Sequence, residues 1–282
     1  VTPYGILIPK YSTGDVRTKY RNALSFYPSG VLKSIYLENK ILISTKIGKI
    51  NAELLTFYED GTIHRIFPQY GQVNGYWTEE NEYENSEKIQ LTLIAQTFFT
   101  KILQVCFYKE GNIKSLTLWK KNRLIVKVGE KEIRTRNGIS FYKNGAIKSL
   151  EPSVPTKTTT PIGSIFAYQT SPLGIHGDKN SLCFYEDGKV KSLYTATNRL
   201  VIKDEALNII VIEPKLKPSQ LDPDMMELVP IQIVFEETEL RVSDSDKKVH
   251  SYQKKSYKFQ VEEASYHAQE GNCNNCTSCG KC

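Results

Sequence analysis

"LCFYEDGKVKSL" (Leu182–Leu193) alternates apolar and polar residues on both sides of Asp187–Gly188, a dipeptide that tolerates the positive φ of a tight hairpin turn. Four more stretches line up with it: "LSFYPSGVLKSI" (Leu24–Ile35), "LTFYEDGTIHRI" (Leu55–Ile66), "VCFYKEGNIKSL" (Val105–Leu116) and "ISFYKNGAIKSL" (Ile139–Leu150). "IVFEETELRV" (Ile233–Val242) reads as a decayed sixth copy without the tyrosine and the glycine. Each copy is expected to form a β-hairpin. With a three-residue loop and glycine in the left-handed position, Tyr58 falls opposite Thr62 and Phe57 opposite Ile63. Phe and Ile then share an apolar face, while Tyr, His64 and the lysines equivalent to it share the other. One hairpin is marginal in water, so stacking of successive copies has to supply the core.

The copies are unevenly spaced, which sets them apart from a tidy propeller or ankyrin array. "TPYGILI" (Thr2–Ile8), "TKIGKINAE" (Thr45–Glu53) and "TPIGSIFAY" (Thr160–Tyr168) suggest a turn entering another strand. "RLIVKV" (Arg123–Val128) and "RLVIKD" (Arg199–Asp204) read as further strands. The expected fold is mostly β, with antiparallel hairpins stacked into an extended or rolled sheet. Residues 1–212 form the hairpin array, 213–230 a Pro-rich linker or arm without strand pattern, and 231–264 a degenerate terminal repeat plus an extra strand near Ser256–Glu262. A cysteine-rich tail covers 265–282.

The hairpin segment "FYEDGKVKSL" resembles the bacterial variety of MORN (membrane occupation and recognition nexus) repeats over about a dozen residues per copy. That resemblance implies a scaffold or binding surface, and family members are mostly not enzymes. The longer, uneven spacing departs from the family and leaves a linear sheet and a closed wrap both open.

Four of the six cysteines stand at three-residue intervals in "CNNCTSCGKC": Cys273, Cys276, Cys279 and Cys282. Two intervening residues let the backbone turn so that successive thiolates point at one centre, and Asn274, Asn275, Ser278 and Gly280 suit such turning. "CNNCTSC" is similar to the Cys-x2-Cys-x2-Cys run of bacterial ferredoxins, which implies Cys273, Cys276 and Cys279 as ligands of a [4Fe–4S] cluster. Cys282 arrives one residue earlier than the ferredoxin pattern and lacks the following proline, so it completes the same cluster or the fourth ligand comes from another chain. Zinc and a disulfide are the alternatives; short Cys-x2-Cys disulfide loops constrain little of the unfolded chain. His267 could be an accessory ligand, against the plainer reading of an exposed polar side chain.

Cys106 and Cys183 precede Phe-Tyr where other copies carry Ser25, Thr56 and Ser140, and so read as packing positions. The pairs Tyr27/Lys33, Tyr108/Lys114, Tyr142/Lys148 and Tyr185/Lys191 form a ladder that could engage carboxylates or acidic polymers. The plainer reading is that lysine stems cover tyrosine rings on a wetted face. A net charge of +6 is spread among acidic residues instead of being gathered in blocks, which argues against nucleic acid and leaves a protein partner as the expectation. No apolar run approaches the roughly 20 residues of a membrane helix. An iron–sulfur cluster implies a reducing, cytoplasmic setting, although an N-terminal Val1 is compatible with a removed leader. "GIHGD" (Gly174–Asp178) reads as a flexible loop, too thin for a catalytic assignment.

Overall fold

A computed structural model describes residues 2–265 except 13–15, 18–21, 171–176, 220–221 and 223. Strand β1 (Leu24–Phe26) opens the first hairpin and β2 (Leu32–Thr45) closes it and runs on; β3 (Gly48–Phe57) returns and makes the second hairpin with β4 (Ile63–Phe67). Helix α1 (Glu79–Asn85) follows, then the pair β5 (Ile89–Leu93) and β6 (Gln96–Thr100). The third hairpin is β7 (Ile102–Phe107) with β8 (Ile113–Leu118). Next, β9 (Leu124–Val128) pairs with the first part of β10 (Lys131–Phe141), and the remainder of β10 makes the fourth hairpin with β11 (Ile147–Pro152).

A small pair, β12 (Thr156–Thr160) and β13 (Gly163–Ala167), precedes the fifth hairpin of β14 (Leu182–Phe184) and β15 (Val190–Thr195). Two more excursions follow: β16 (Asn198–Asp204) with β17 (Ile209–Ile212), and β18 (Lys215–Pro218) with β19 (Met226–Val229). Within the stretch 213–230, in which the sequence shows no strand pattern, Lys215–Pro218 and Met226–Val229 thus form a two-stranded ribbon in register from Lys215↔Val229 to Pro218↔Met226. Its backbone groups find partners in each other, which the local sequence does not signal. The last hairpin is β20 (Ile231–Phe235) with β21 (Glu239–Ser243); β22 (Val249–Gln253) adds to β21, and β23 (Tyr257–Glu263) pairs instead with β16.

One fourteen-stranded antiparallel sheet runs β1-β2-β3-β4-β7-β8-β10-β11-β14-β15-β20-β21-β22, with β9 attached to β10. Its path is open, with β1 and β22 at its two ends. Between each pair of successive sheet hairpins the chain makes an excursion of different length, and this produces the uneven spacing of the Phe-Tyr copies. The excursions add apolar side chains to the core of the sheet. Ile43, Ile50, Leu91, Val126, Ile165 and Ile202 join the same core as Leu55, Phe57, Val105, Phe141, Leu150 and Phe184. A sheet with one greasy face has to bury it, and here residues of the chain's own connections share that buried core.

The hairpin geometry follows the expected loop. Tyr58 N–H donates to the Thr62 carbonyl at 2.8 Å, Gly61 N–H donates to the Tyr58 carbonyl at 2.9 Å, and Phe57 pairs with Ile63. Gly30, Gly61, Gly111, Gly145 and Gly188 hold φ between 78° and 88°, the left-handed region that favours glycine. Beyond the loop an irregularity recurs that periodicity does not reveal. Phe57 pairs with Ile63 but Thr56 pairs with Arg65, so His64 is an extra, unpaired residue: a β-bulge. Lys33, Lys114, Lys148 and Lys191 occupy the same bulge position in their hairpins.

The Thr-x-x-Gly turns are also alike. Thr45 Oγ1 donates to the Gly48 carbonyl at 2.6 Å, and Thr160 Oγ1 to the Gly163 carbonyl at 2.6 Å. Both turns close excursion hairpins. The third, Thr2–Gly5, leads into a single bridge between Pro9 and Leu37. No helix among the described residues is long and apolar enough to cross a membrane.

Candidate functional site

The tyrosines of the five hairpins have a use that residue order alone does not assign. Tyr27 Oη donates to the Phe57 carbonyl at 2.8 Å, and Tyr58 Oη to the Phe107 carbonyl at 2.8 Å. Tyr108 reaches the Phe141 carbonyl at 2.9 Å, Tyr142 that of Phe184 at 2.8 Å, and Tyr185 that of Phe235 at 2.7 Å. Each hydroxyl ties its hairpin to the phenylalanine of the next. Register explains the acceptor. The loop bond belongs to the Tyr–Thr pair, so the adjacent Phe–Ile pair is non-hydrogen-bonded and its backbone groups face outward, toward the neighbouring hairpin. A net contribution of about 0.5–1.5 kcal/mol per bond is expected. Burial pushes the Tyr58, Tyr108 and Tyr142 hydroxyls above the usual phenol range, so they stay protonated donors.

The bulge lysines lie over these rings: Lys33 over Tyr27 at 5.6 Å, Lys114 over Tyr108 at 5.8 Å, Lys148 over Tyr142 at 5.8 Å and Lys191 over Tyr185 at 5.5 Å. In the second copy His64 takes that place, with its ring 4.5 Å from Tyr58, and burial lowers its proton affinity. Turn lysines of the following hairpin add to the ladder, Lys109 over Tyr58 at 5.6 Å and Lys143 over Tyr108 at 5.8 Å. The rings are therefore held by their hydroxyls, and the ammonium groups form a row along one face of the sheet that His64 interrupts at the second hairpin.

Two buried polar clusters stand apart from that row. Arg17 Nη1 and Nη2 donate to Glu53 at 2.6 Å each, and Arg17 Nε donates to Glu82 Oε2 at 2.8 Å. Trp77 Nε1 and the Gly71 N–H also donate to Glu82, both at 2.6 Å. Burial opposes ionisation of Glu82, but bonds from Arg17, Trp77 and Gly71 outweigh it and hold the carboxyl below its usual range. Thr78 caps α1 through the Asn81 N–H, and this places Glu82 in the first turn, facing Arg17. In the second cluster Glu151, fully buried, accepts from the Ser181 N–H at 2.8 Å and Ser181 Oγ at 2.9 Å, with Arg136 at 3.7 Å. Burial prevails there and raises its pKa. Both clusters join segments distant in sequence, as clamps between the sheet and its connections. Their only sequence signal is a carboxylate set beside or inside a core strand.

Cys106 and Cys183 are free thiols. They stand opposite Ser115 and Ser192, as Ser25 stands opposite Ser34 and Ser140 opposite Ser149. Burial pushes both thiols up, away from the reactive thiolate. Cys273, Cys276, Cys279 and Cys282, with His267, lie outside the described residues. Among the described residues no group of three or more His, Cys, Asp or Glu could hold a metal ion. His176 of "GIHGD" is also outside the described residues. Its neighbour Gly177 packs on the strands: a Cβ there would lie 2.0 Å from the Leu116 carbonyl oxygen, so only glycine fits.

A cleft of about 780 Å³ lies between the β18–β19 ribbon and the turn after β21, lined by Gln169, Tyr194, Lys217, Gln232, Asp244 and Asp246 among others. Several of its charges are paired with one another or nearby: Lys217 Nζ sits 2.5 Å from Asp246 and His250 Nε2 3.0 Å from Asp244. No family model matches the chain, and no curated protein or solved structure shows significant similarity to it.

Proposed function

We propose that this chain is a β-hairpin scaffold of the MORN-like kind that carries a [4Fe–4S] cluster on Cys273, Cys276, Cys279 and Cys282 and docks a protein partner through its lysine row. The observation that carries the reading is the cysteine run itself: four soft thiolate donors at three-residue spacing, the donor type that iron–sulfur clusters and zinc accept. Strand β23 is paired along its length with β16 and ends at Glu263. The stretch from there to Cys273 can reach at most about 35 Å from the sheet, so a cluster would stay close to the scaffold. A bound cluster would supply one-electron transfer in a reducing, cytoplasmic setting, as a relay or as a redox-sensitive dock. The chain's own part is to place it beside a partner held by Lys33, Lys114, Lys148 and Lys191. Recurrence of the lysine at the same bulge position in four of the five tied hairpins supports a docking role for that row, because acidic groups on one partner would meet a repeated cation.

Anaerobic purification followed by visible absorbance and elemental analysis tests the reading. Iron and sulfide near four each per chain, with a brown colour lost in a Cys276→Ser variant, is the expected result. A colourless, zinc-containing protein would move the assignment to a zinc site. A metal-free protein lighter by four protons would replace it with disulfides.

A further inference from the structure

The ladder of tyrosine ties leaves one end open. Each tie runs from a hairpin to the phenylalanine carbonyl of the next, and the five acceptors are Phe57, Phe107, Phe141, Phe184 and Phe235. Phe26 is the equivalent residue of the first hairpin, and β1 is the end strand of the sheet, paired with β2 alone among the described strands. By the shared register its carbonyl faces the free edge. Its environment differs as sharply. Phe26 is 56% exposed, whereas the five acceptors are 1–4% exposed. Leu24 is 37% exposed, whereas Leu55, Val105, Ile139 and Leu182 in its place are fully buried. The surface that elsewhere is an inter-hairpin joint is uncovered here by any described residue.

We propose that the β1 edge is a docking site for a β-hairpin of a separate partner protein, one with the same Phe-Tyr-x-x-Gly-x-Ile-Lys-Ser register. The partner's second strand would pair antiparallel with β1, its tyrosine hydroxyl would donate to the Phe26 carbonyl, and its apolar residues would cover Phe26 and Leu24. The argument is continuity: the same joint is made five times within this molecule. A second copy of this chain cannot supply it head to tail. Its terminal hairpin carries Glu236 where the tyrosine belongs, and β22 already occupies the outer side of β21. Among the described leading residues, Tyr4 stands against Phe57 at 5.9 Å and Pro9 is bridged to Leu37. This inference does not depend on the tail or on any metal.

The test is a titration of the full chain against a fluorescently labelled, cyclised hairpin bearing the sequence ISFYKNGAIKSL, followed by anisotropy. Saturable binding is expected, weakened about three- to tenfold when the probe's tyrosine is replaced by phenylalanine, the range of one net hydrogen bond. Phe26→Lys in the chain should abolish binding; since Phe26 is exposed, the variant should keep the native melting curve. Three results would overturn the proposal: no saturable binding, binding indifferent to Phe26→Lys, or equal affinity for the phenylalanine probe. A concentration-dependent dimer lost in Phe26→Lys would overturn it too, by showing that a second copy covers the edge.

Discussion

The five tied hairpins and the terminal hairpin β20–β21 are built from the same apolar residues but end differently. In the terminal copy Phe235 is 2% exposed and Leu240 and Val242 are fully buried, as in the interior. Yet its loop is shorter, closed by Glu236 N–H on the Glu239 carbonyl at 3.1 Å, and the register runs unshifted from Phe235↔Leu240 to Gln232↔Ser243. Tyrosine, left-handed glycine and bulge lysine are lost together. Glu236, in the tyrosine's place, pairs with Arg241. The motif is therefore two sets of residues. Phe, Ile and Leu serve the hairpin's own core, while Tyr makes the joint to a following hairpin, from a loop that Gly shapes and with the bulge Lys over its ring; where no described hairpin follows, only the first set remains.

Separating the two sets experimentally sharpens that contrast. The largest effect belongs to the core set. Phe141→Ala should lower unfolding free energy by about 3–5 kcal/mol in denaturant titration, while Phe26→Ala, at the exposed edge, should cost less than about 1 kcal/mol. Equal losses at the two positions would break the picture of an uncovered edge. The joint set comes next. Tyr142→Phe should cost about 1 kcal/mol, because the Phe184 carbonyl loses its donor while the ring stays packed; an unchanged midpoint would mean that the tie adds nothing.

Loop conformation gives a pair of opposite signs. At Gly145, with φ 88° and open space where a methyl group would stand, alanine should destabilise by about 1 kcal/mol through backbone strain alone. Lys247 holds φ 62° in the turn that joins β21 to β22, so Lys247→Gly should stabilise by about 0.5–1 kcal/mol. The smallest effect is that of the bulge cation. Lys148→Gln should change stability by no more than about 0.5 kcal/mol, since the ammonium is exposed over Tyr142. If the lysine row is instead a docking face, the same substitution should weaken partner capture well beyond its effect on folding.

Much of this architecture was legible because hairpin loops are local. An Asp-Gly or Asn-Gly turn sets the pairing of its flanks within a few residues, and so the Phe57–Ile63 and Tyr58–Thr62 relations followed from spacing. A strand near Ser256–Glu262 was legible from alternation, and β23 occupies Tyr257–Glu263. That it pairs with β16 was not, since the choice among unpaired edges is made by packing. The Arg17–Glu53–Glu82 clamp was equally hidden: its members are separated by long stretches of chain, and no local pattern links them. The tyrosine–lysine pairs were visible as a ladder, but the fate of each hydroxyl depended on a carbonyl in the next hairpin.

Local residue order, by itself, determined that this chain makes antiparallel hairpins with a greasy face, because turn geometry and two-residue alternation act over a dozen residues or fewer. Tertiary structure alone decided that the sheet path ends at β1 and β22, that the connections share its core, and that no described strand covers the outer edge of β1. Those outcomes depend on which distant surfaces bury one another, and burial is a property of the assembled molecule.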